Sequence, residues 1–303
     1  MIGTDTSDYR RAIVALGIIA LVLLAGILVI GEMAAAGEEN TGETSADYAM
    51  IHALGTAQGT IQKDLAGMDR IVTNGAIELG QRQPEGDRAL QILSGMSNSG
   101  PAAIDAVTAD LNGTITAISP DQYKSVIGGD ISNQSHIRRL YEQKIPVMSG
   151  LFMTVEGFPA VAIASPVFTP DGKFIGATTL LFNPGTLIGR DLPPETNGTG
   201  ARDAWVVQED GTILFASDGE PAGDNLSGNP GSGKYPGLAS LAGNITKEWQ
   251  GDTISTFTDP SGRAVTNHIV WTTVGIRGTE WRVVFSREIK STGSAGVMNE
   301  TIV

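Results

Sequence analysis

The chain contains no cysteine in 303 residues, which excludes disulfides, thiolate nucleophiles and cysteine-based metal sites. Positive charge is scarce as well: 20 Lys and Arg face 33 Asp and Glu, for a formal net charge of −13. Phosphate recognition needs clustered cations, so a nucleic-acid partner is excluded. The three histidines, His52, His136 and His268, stand on separate stretches without the convergent ligands that a metal site requires. No metal and no cofactor is expected. Neither G-x-S-x-G nor H-E-x-x-H occurs. Asp171, Asp210 and Asp259 stand beside turn Gly or Pro, where Asp serves local hydrogen bonding. No catalytic residue is expected, and the chain does not read as an enzyme. GNPGSGKY (Gly228–Tyr235) fits GxxxxGK, but Tyr235 replaces the Mg²⁺-holding hydroxyl and Pro236 stands where a helix should begin. It reads as a plain loop.

What the chain does have is one long apolar run. Ala12 to Gly31 is uncharged over 20 residues, enough for about 30 Å of hydrocarbon. Arg10 and Arg11 precede it and Glu32, Glu38 and Glu39 follow, so the positive-inside bias places residues 1–11 in the cytoplasm and the bulk outside. The expected form is a single-pass membrane protein with a transmembrane helix at 12–31. Two other fates are open: a leader cleaved near Ala34–Gly37, and a pilin-type leader whose mature chain starts at Ile13 and packs into a surface filament. Beyond the run lie six N-x-[ST] sequons, at Asn112, Asn133, Asn197, Asn225, Asn244 and Asn299, which suit glycosylation on an exported surface.

Ser45 to Leu79 repeats apolar residues at helical steps, through Tyr48, Ile51, Leu54, Ile61, Leu65, Met68, Ile71 and Val72. The spacing predicts a long amphipathic helix, weakened by Gly55, Gly59, Gly67 and Gly75. From Ile104 the period becomes alternating. NGTITAIS (Asn112–Ser119) and DGTILFAS (Asp210–Ser217) predict strand, two-residue turn, strand. A short helix at QSHIRRLYEQK and a hairpin around Asp171-Gly172 follow the first copy, and Gly189–Arg202 has linker composition. Downstream, GGDIS pairs with AGDNLS, PAVAIASPV with RAVTNHIVW, and FIGATTLLF with EWRVVFS, in order and at offsets near 100. Matches in register indicate a repeated module. The expected fold is α+β, with two antiparallel-sheet modules at 33–190 and 200–290 and a polar tail at 291–303. All four tryptophans, Trp205, Trp249, Trp271 and Trp281, fall in the second module and read as core.

This order resembles the double Cache family of tandem PAS-like extracellular sensor domains, carried by LNGTITAISPDQYKSVIGGDIS, HIRRLYEQKIPVMSGLF, FPAVAIASPVFTPDGKFIGATTLLFN and AWVVQEDGTILFASDGEPAGDNL. The resemblance implies small-molecule binding by the membrane-distal module, signal transduction through the proximal one, and a second copy or a separate signalling partner. Members that bind amino acids have an Arg-x-Trp-Tyr cluster, a later Tyr after a Ser/Thr turn, and an Asp closing the last strand. The corresponding positions here are Gln134, His136, Ile137, Phe152 after Ser149, and Asn183. Loss of the Asp removes the partner of an α-amino group, so the expected ligand is not a typical amino acid. Arg138 and Arg139 remain to hold a carboxylate. Sequons, acidity and the lack of cysteine suit an archaeal or other prokaryotic cell surface.

Overall fold

The computed structural model describes residues 41–82, 86–192, 203–217, 219, 222–227, 236–258 and 262–289. The apolar run 12–31, the loop Gly228–Tyr235, the polar tail, Asp259, Asn197 and Asn299 lie outside the described residues. Both sheets lie in one unit, which begins at Ala46. Among the described residues no helix is long and apolar enough to cross a membrane.

Helix α1 (Thr41–Arg82) is longer than its periodicity predicts, about 60 Å at 1.5 Å per residue. Its buried face is Met50, Ala53, Leu54, Ala57, Ile61, Leu65, Val72, Ala76 and Leu79. Tyr48 and Ile51, expected on that face, are 38% and 46% exposed; the true stripe passes through Met50 and the small Ala53 and Ala57. Two glutamines fasten the helix to strand ends. Gln62 donates to the Gly275 carbonyl at 2.9 Å and accepts from the Gly275 N–H at 3.0 Å, while Gln58 donates to the Thr273 carbonyl at 2.9 Å. A methyl at Gly55, Gly59 or Gly67 would meet nothing within 4 Å. Each Gly→Ala change there is expected to stabilise the protein by about 0.5–1 kcal/mol in urea unfolding. Gly80→Ala should do the reverse, since its methyl would collide with the Phe168 carbonyl.

Helix α2 (Asp87–Ser97) leads into the first sheet. Its strands are β1 (Ala103–Ala109), β2 (Ile115–Ser119), β3 (Val147–Met148), β4 (Phe152–Met153), β5 (Pro159–Phe168) and β6 (Phe174–Phe182), with α3 (Ser135–Gln143) between β2 and β3. The order is β2-β1-β6-β5-β3, and β4 also pairs with β5. Helix α4 (Pro184–Asp191) closes the repeat. The second sheet, β7 (Asp203–Gln208), β8 (Ile213–Ala216), β9 (Gly251–Thr258), β10 (Ala264–Ile276) and β11 (Thr279–Ile289), has the order β8-β7-β11-β10-β9, and α5 (Pro236–Lys247) falls between β8 and β9. Each module therefore places its two closing strands between the opening hairpin and a third, later-entering edge.

The repeat holds at the level of single hydrogen bonds. In the first copy Asp110 N donates to Thr114 O and Gly113 N to Asp110 O, both at 3.0 Å; in the second Gln208 N donates to Thr212 O and Gly211 N to Gln208 O, both at 2.9 Å. The returning segment then pairs Ile115 with Gly128 and Gly129, and Ile213 with Gly223 and Asp224. Both copies carry a register shift at the same place, Thr108/Ala109 and Val206/Val207. The turns themselves are not two-residue hairpins. Asp110 Oδ1 accepts from the N–H groups of Asn112 and Thr114 at 2.9 Å, closing a wider loop in which Gly113 alone has positive φ, 81°. A true two-residue turn joins β10 to β11 at Arg277-Gly278, with φ of 55° and 77°.

One face of both sheets packs on α1 in a continuous core that includes Val161, Leu180 and Phe182 from the first module and Val206, Trp281 and Phe285 from the second. The other face of each sheet has its own cover. In the second module α5 seals it with Leu238, Ala242 and Ile245 against Trp205, Val207 and Trp271. In the first, α3 covers a smaller cluster with Ile137 and Leu140, over Val107, Ala109, Val147, Ala164 and Ala177.

Candidate ligand-binding site

Strand alternation turns Asp105, Val107 and Ala109 to one face, and the latter two lie in the α3-side cluster. Asp105 thus points beneath α3. It is 0% exposed, and neither carboxylate oxygen has a hydrogen-bond partner. A buried unpaired carboxylate is costly. Burial, reinforced by the Glu156 charge, pushes its pKa from 3.8 up to about 7. Glu156, in the β4–β5 loop, buries an unpaired Oε2, and Thr154 of the same loop buries an unpaired hydroxyl. Across from Asp105 in the register lies Leu181, and β5 presents Ala162 opposite Leu181. With Ala160 and Ala164 two residues either side, β5 contributes only methyl groups to this face.

His136 of α3 packs on Phe152 of β4, with ring centroids 4.9 Å apart. Burial, with a smaller contribution from Arg139, lowers the His136 pKa to about 4, so the imidazole is neutral. Tyr123 and Phe158 add a second aromatic pair, centroids 6.2 Å apart. The lid α3 is pinned at its C-terminus, where Tyr141 donates its hydroxyl proton to the Asp110 carbonyl and stacks edge-on to Phe174 at 5.4 Å.

Of the residues expected at the site, the fold brings together His136 and Phe152. Gln134 is the half-buried residue before α3, and its side chain makes no capping bond. Ser149 sits at the β3 end with its hydroxyl committed: Oγ accepts from Ala162 N at 2.8 Å and donates to Gly150 O at 2.7 Å. Asn183 is exposed and caps α4, its Oδ1 accepting from Thr186 N at 2.9 Å. Arg138 is exposed. Arg139 is spent on two carbonyls, Met148 O at 3.1 Å and Arg277 O at 3.3 Å, so it joins α3 to the β10–β11 turn rather than awaiting a carboxylate. From that turn Arg277 makes a two-pronged bond to Asp69 of α1, at 2.8 and 2.7 Å. The lid is thereby wired to the long helix through the second module.

The acids were missed by motif reasoning because the Asp was sought at the end of the last strand. The available signal was Asp105 itself, a single acid inside the apolar strand AIDAVTA. Grooves of about 380 Å³ between α1 and α2, lined by Ile71, Glu78, Arg88 and Met96 among others, and of about 270 Å³ beside Leu90 and Asp121, share no residue with this site. Neither contains a buried unpaired group, so the chemistry favours the face of the first sheet beneath α3. Among the described residues no cluster could hold a metal ion. Of the described sequons, Asn112, Asn133 and Asn244 are exposed, whereas Asn225 uses its side-chain nitrogen to bond the Asp210 carbonyl at 2.9 Å.

Residues 63–184 match the family model described as HK/GC/Chemotaxis protein-like, sensor domain. That segment contains the second half of α1 and the whole of the first sheet, site included. The structure is similar to an extracellular ligand binding receptor from Desulfohalobium retbaense, with 30% identity and a TM-score of 0.66 over 78% of this chain; the chain spans 40% of that receptor's length. It also resembles the ligand-binding domain of the Pseudomonas aeruginosa amino acid chemoreceptor PctB in complex with L-Gln, at 17% identity and TM-score 0.57, covering 82% of this chain and 94% of that one. The ligand-binding domain of the Pseudomonas fluorescens chemoreceptor CtaA in complex with L-serine aligns at 18% identity and TM-score 0.59, over 80% of this chain and 96% of that one. No curated protein matches the sequence. The fold is thus that of tandem Cache-like modules, and the sensor-domain model matches the first of them.

Proposed function

We propose that the chain is the extracytoplasmic part of a signalling system, binding a small molecule between α3 and the first sheet without catalysis. The observation that carries this is Asp105: a fully buried carboxylate with two unpaired oxygens in the module that matches a sensor domain. Fold stability is given up there, and a ligand that pairs the charge restores it. The receptor and chemoreceptor domains of similar fold support the reading. Occupancy of this site would shift α3 and reach α1 through Arg139, Arg277 and Asp69. In this reading residues 12–31 anchor the chain with a cytoplasmic N-terminus, the sequons carry glycans, and α1 passes the signal to a second copy or a separate partner.

A thermal-shift screen of small carboxylates, amines and purines against the full chain tests the reading. A ligand at one hundred times its dissociation constant is expected to stabilise the fold by about 2.7 kcal/mol. A screen in which nothing raises the melting temperature contradicts it.

A further inference from the structure

Resting on that small-molecule reading, we infer that the site beneath α3 takes an organic cation without a carboxylate, an alkylammonium or a guanidinium. Two acids converge on it: Asp105, wholly buried with both oxygens unpaired, and Glu156, with one buried oxygen unpaired and close enough to act on Asp105 electrostatically. The cations nearby are engaged or turned away. Arg139 bonds two carbonyls, Arg138 is exposed, and the Lys144 ammonium lies over the Phe174 ring, 3.8 Å from its centroid. The site therefore supplies negative charge in excess and, among the described residues, no guanidinium to receive a carboxylate.

The aromatic content agrees with the charge. His136 on α3 pairs with Phe152, and Tyr123 pairs with Phe158 of the loop that carries Glu156; an aromatic ring face attracts a cation. The unpaired Thr154 hydroxyl adds an acceptor for a further N–H. Two acids also discriminate by charge number. A diamine can satisfy Asp105 and Glu156 together, whereas a monoamine leaves one of them unpaired.

A matched four-carbon series separates these cases: putrescine, n-butylamine, 4-aminobutyrate and butyrate, with agmatine for the guanidinium, titrated calorimetrically into the full chain at pH 8. Amines and agmatine are expected to bind, putrescine tightest, each at least about tenfold tighter than either carboxylate. Asp105→Asn should weaken amine binding about tenfold to a hundredfold, and Glu156→Gln, at a half-buried loop position that tolerates change, should narrow the gap between putrescine and butylamine. Butyrate or 4-aminobutyrate binding as tightly as the amines overturns the inference. So does amine binding indifferent to Asp105→Asn, or silence of the amines while another class from the screen binds. If nothing binds in either experiment, the sensor reading falls with it.

Discussion

Asp105→Asn is expected to melt above the wild-type protein at pH 8, to melt with it at pH 4, and to lose ligand binding. The folded pKa is raised, so the folded state holds its proton longer than the unfolded chain. Stability from this group is whole below the unfolded value of 3.8 and is lost as pH rises through about 7. A shift from 3.8 to about 7 sets a ceiling on the order of 4 kcal/mol on the penalty at pH 8. Asparagine keeps two polar atoms in the same dry site, so the gain is smaller than the ceiling, about 1–3 kcal/mol or several degrees in Tm. Melting curves of both proteins across pH 4 to 8 give the answer. A variant less stable than wild type at pH 8 would mean that Asp105 is paired in the ligand-free protein. Gain of stability with loss of binding is the signature of a group retained for function.

Replacing His268 by glutamine should remove stability that depends on pH in the opposite way from an ordinary carboxylate pair. The ring nitrogens of His268 lie 2.7 Å from Asp47 Oδ1 on α1 and 2.6 Å from Asp252 Oδ1 on β9. Carboxylates only accept, so both nitrogens carry protons and the ring is an imidazolium. The Asp252 bond raises the His268 pKa most, Asp47 adds to it, and burial opposes both. Arg287 bonds the same Asp47 oxygen, its Nε at 3.2 Å, and completes a cluster tying the start of α1 to the second sheet. Because the folded pKa is raised, this contribution is fully present below the unfolded value of 6.5 and is lost as pH rises through the folded value. At pH 6 the glutamine variant is expected to lose about 1.5–3 kcal/mol, toward the low end because the Asp252 side chain is 61% exposed. The deficit should shrink by pH 9. A deficit independent of pH would show that the ring packs as a neutral group.

Where local pattern and tertiary packing agree, the sequence is a good guide. The repeat was legible because turn glycines and alternating strands recur in order, and Gly113 and Gly211 hold equivalent turns with φ of 81° and 84°. Helix α3 was legible from the stretch QSHIRRLYEQK. The burial phase of α1 was not, since Ala53 and Ala57 carry little hydrophobic signal yet sit under the sheet while Ile51 does not. Site residues were harder for a different reason. His136 and Phe152 lie within 17 residues of each other and fall together through local order. Asp105 and Glu156 stand 51 residues apart, and only the sheet order, with β6 between β1 and β5, brings them near each other. Asn183 looked like a strand residue and is a helix cap, a role set by the Pro184 that follows it. The three-way bond of His268 joins residues 221 and 16 positions away, which no local reading connects.

Hydrogen exchange of the full chain with and without the most stabilising small molecule tests the central claim most directly, because it locates the ligand without presupposing its identity. Slowed exchange is expected in α3 (Ser135–Gln143), β1 and the β4–β5 loop around Glu156, with a weaker change at the Arg277 turn. Protection confined to the groove between α1 and α2, or absent from α3, would contradict the account.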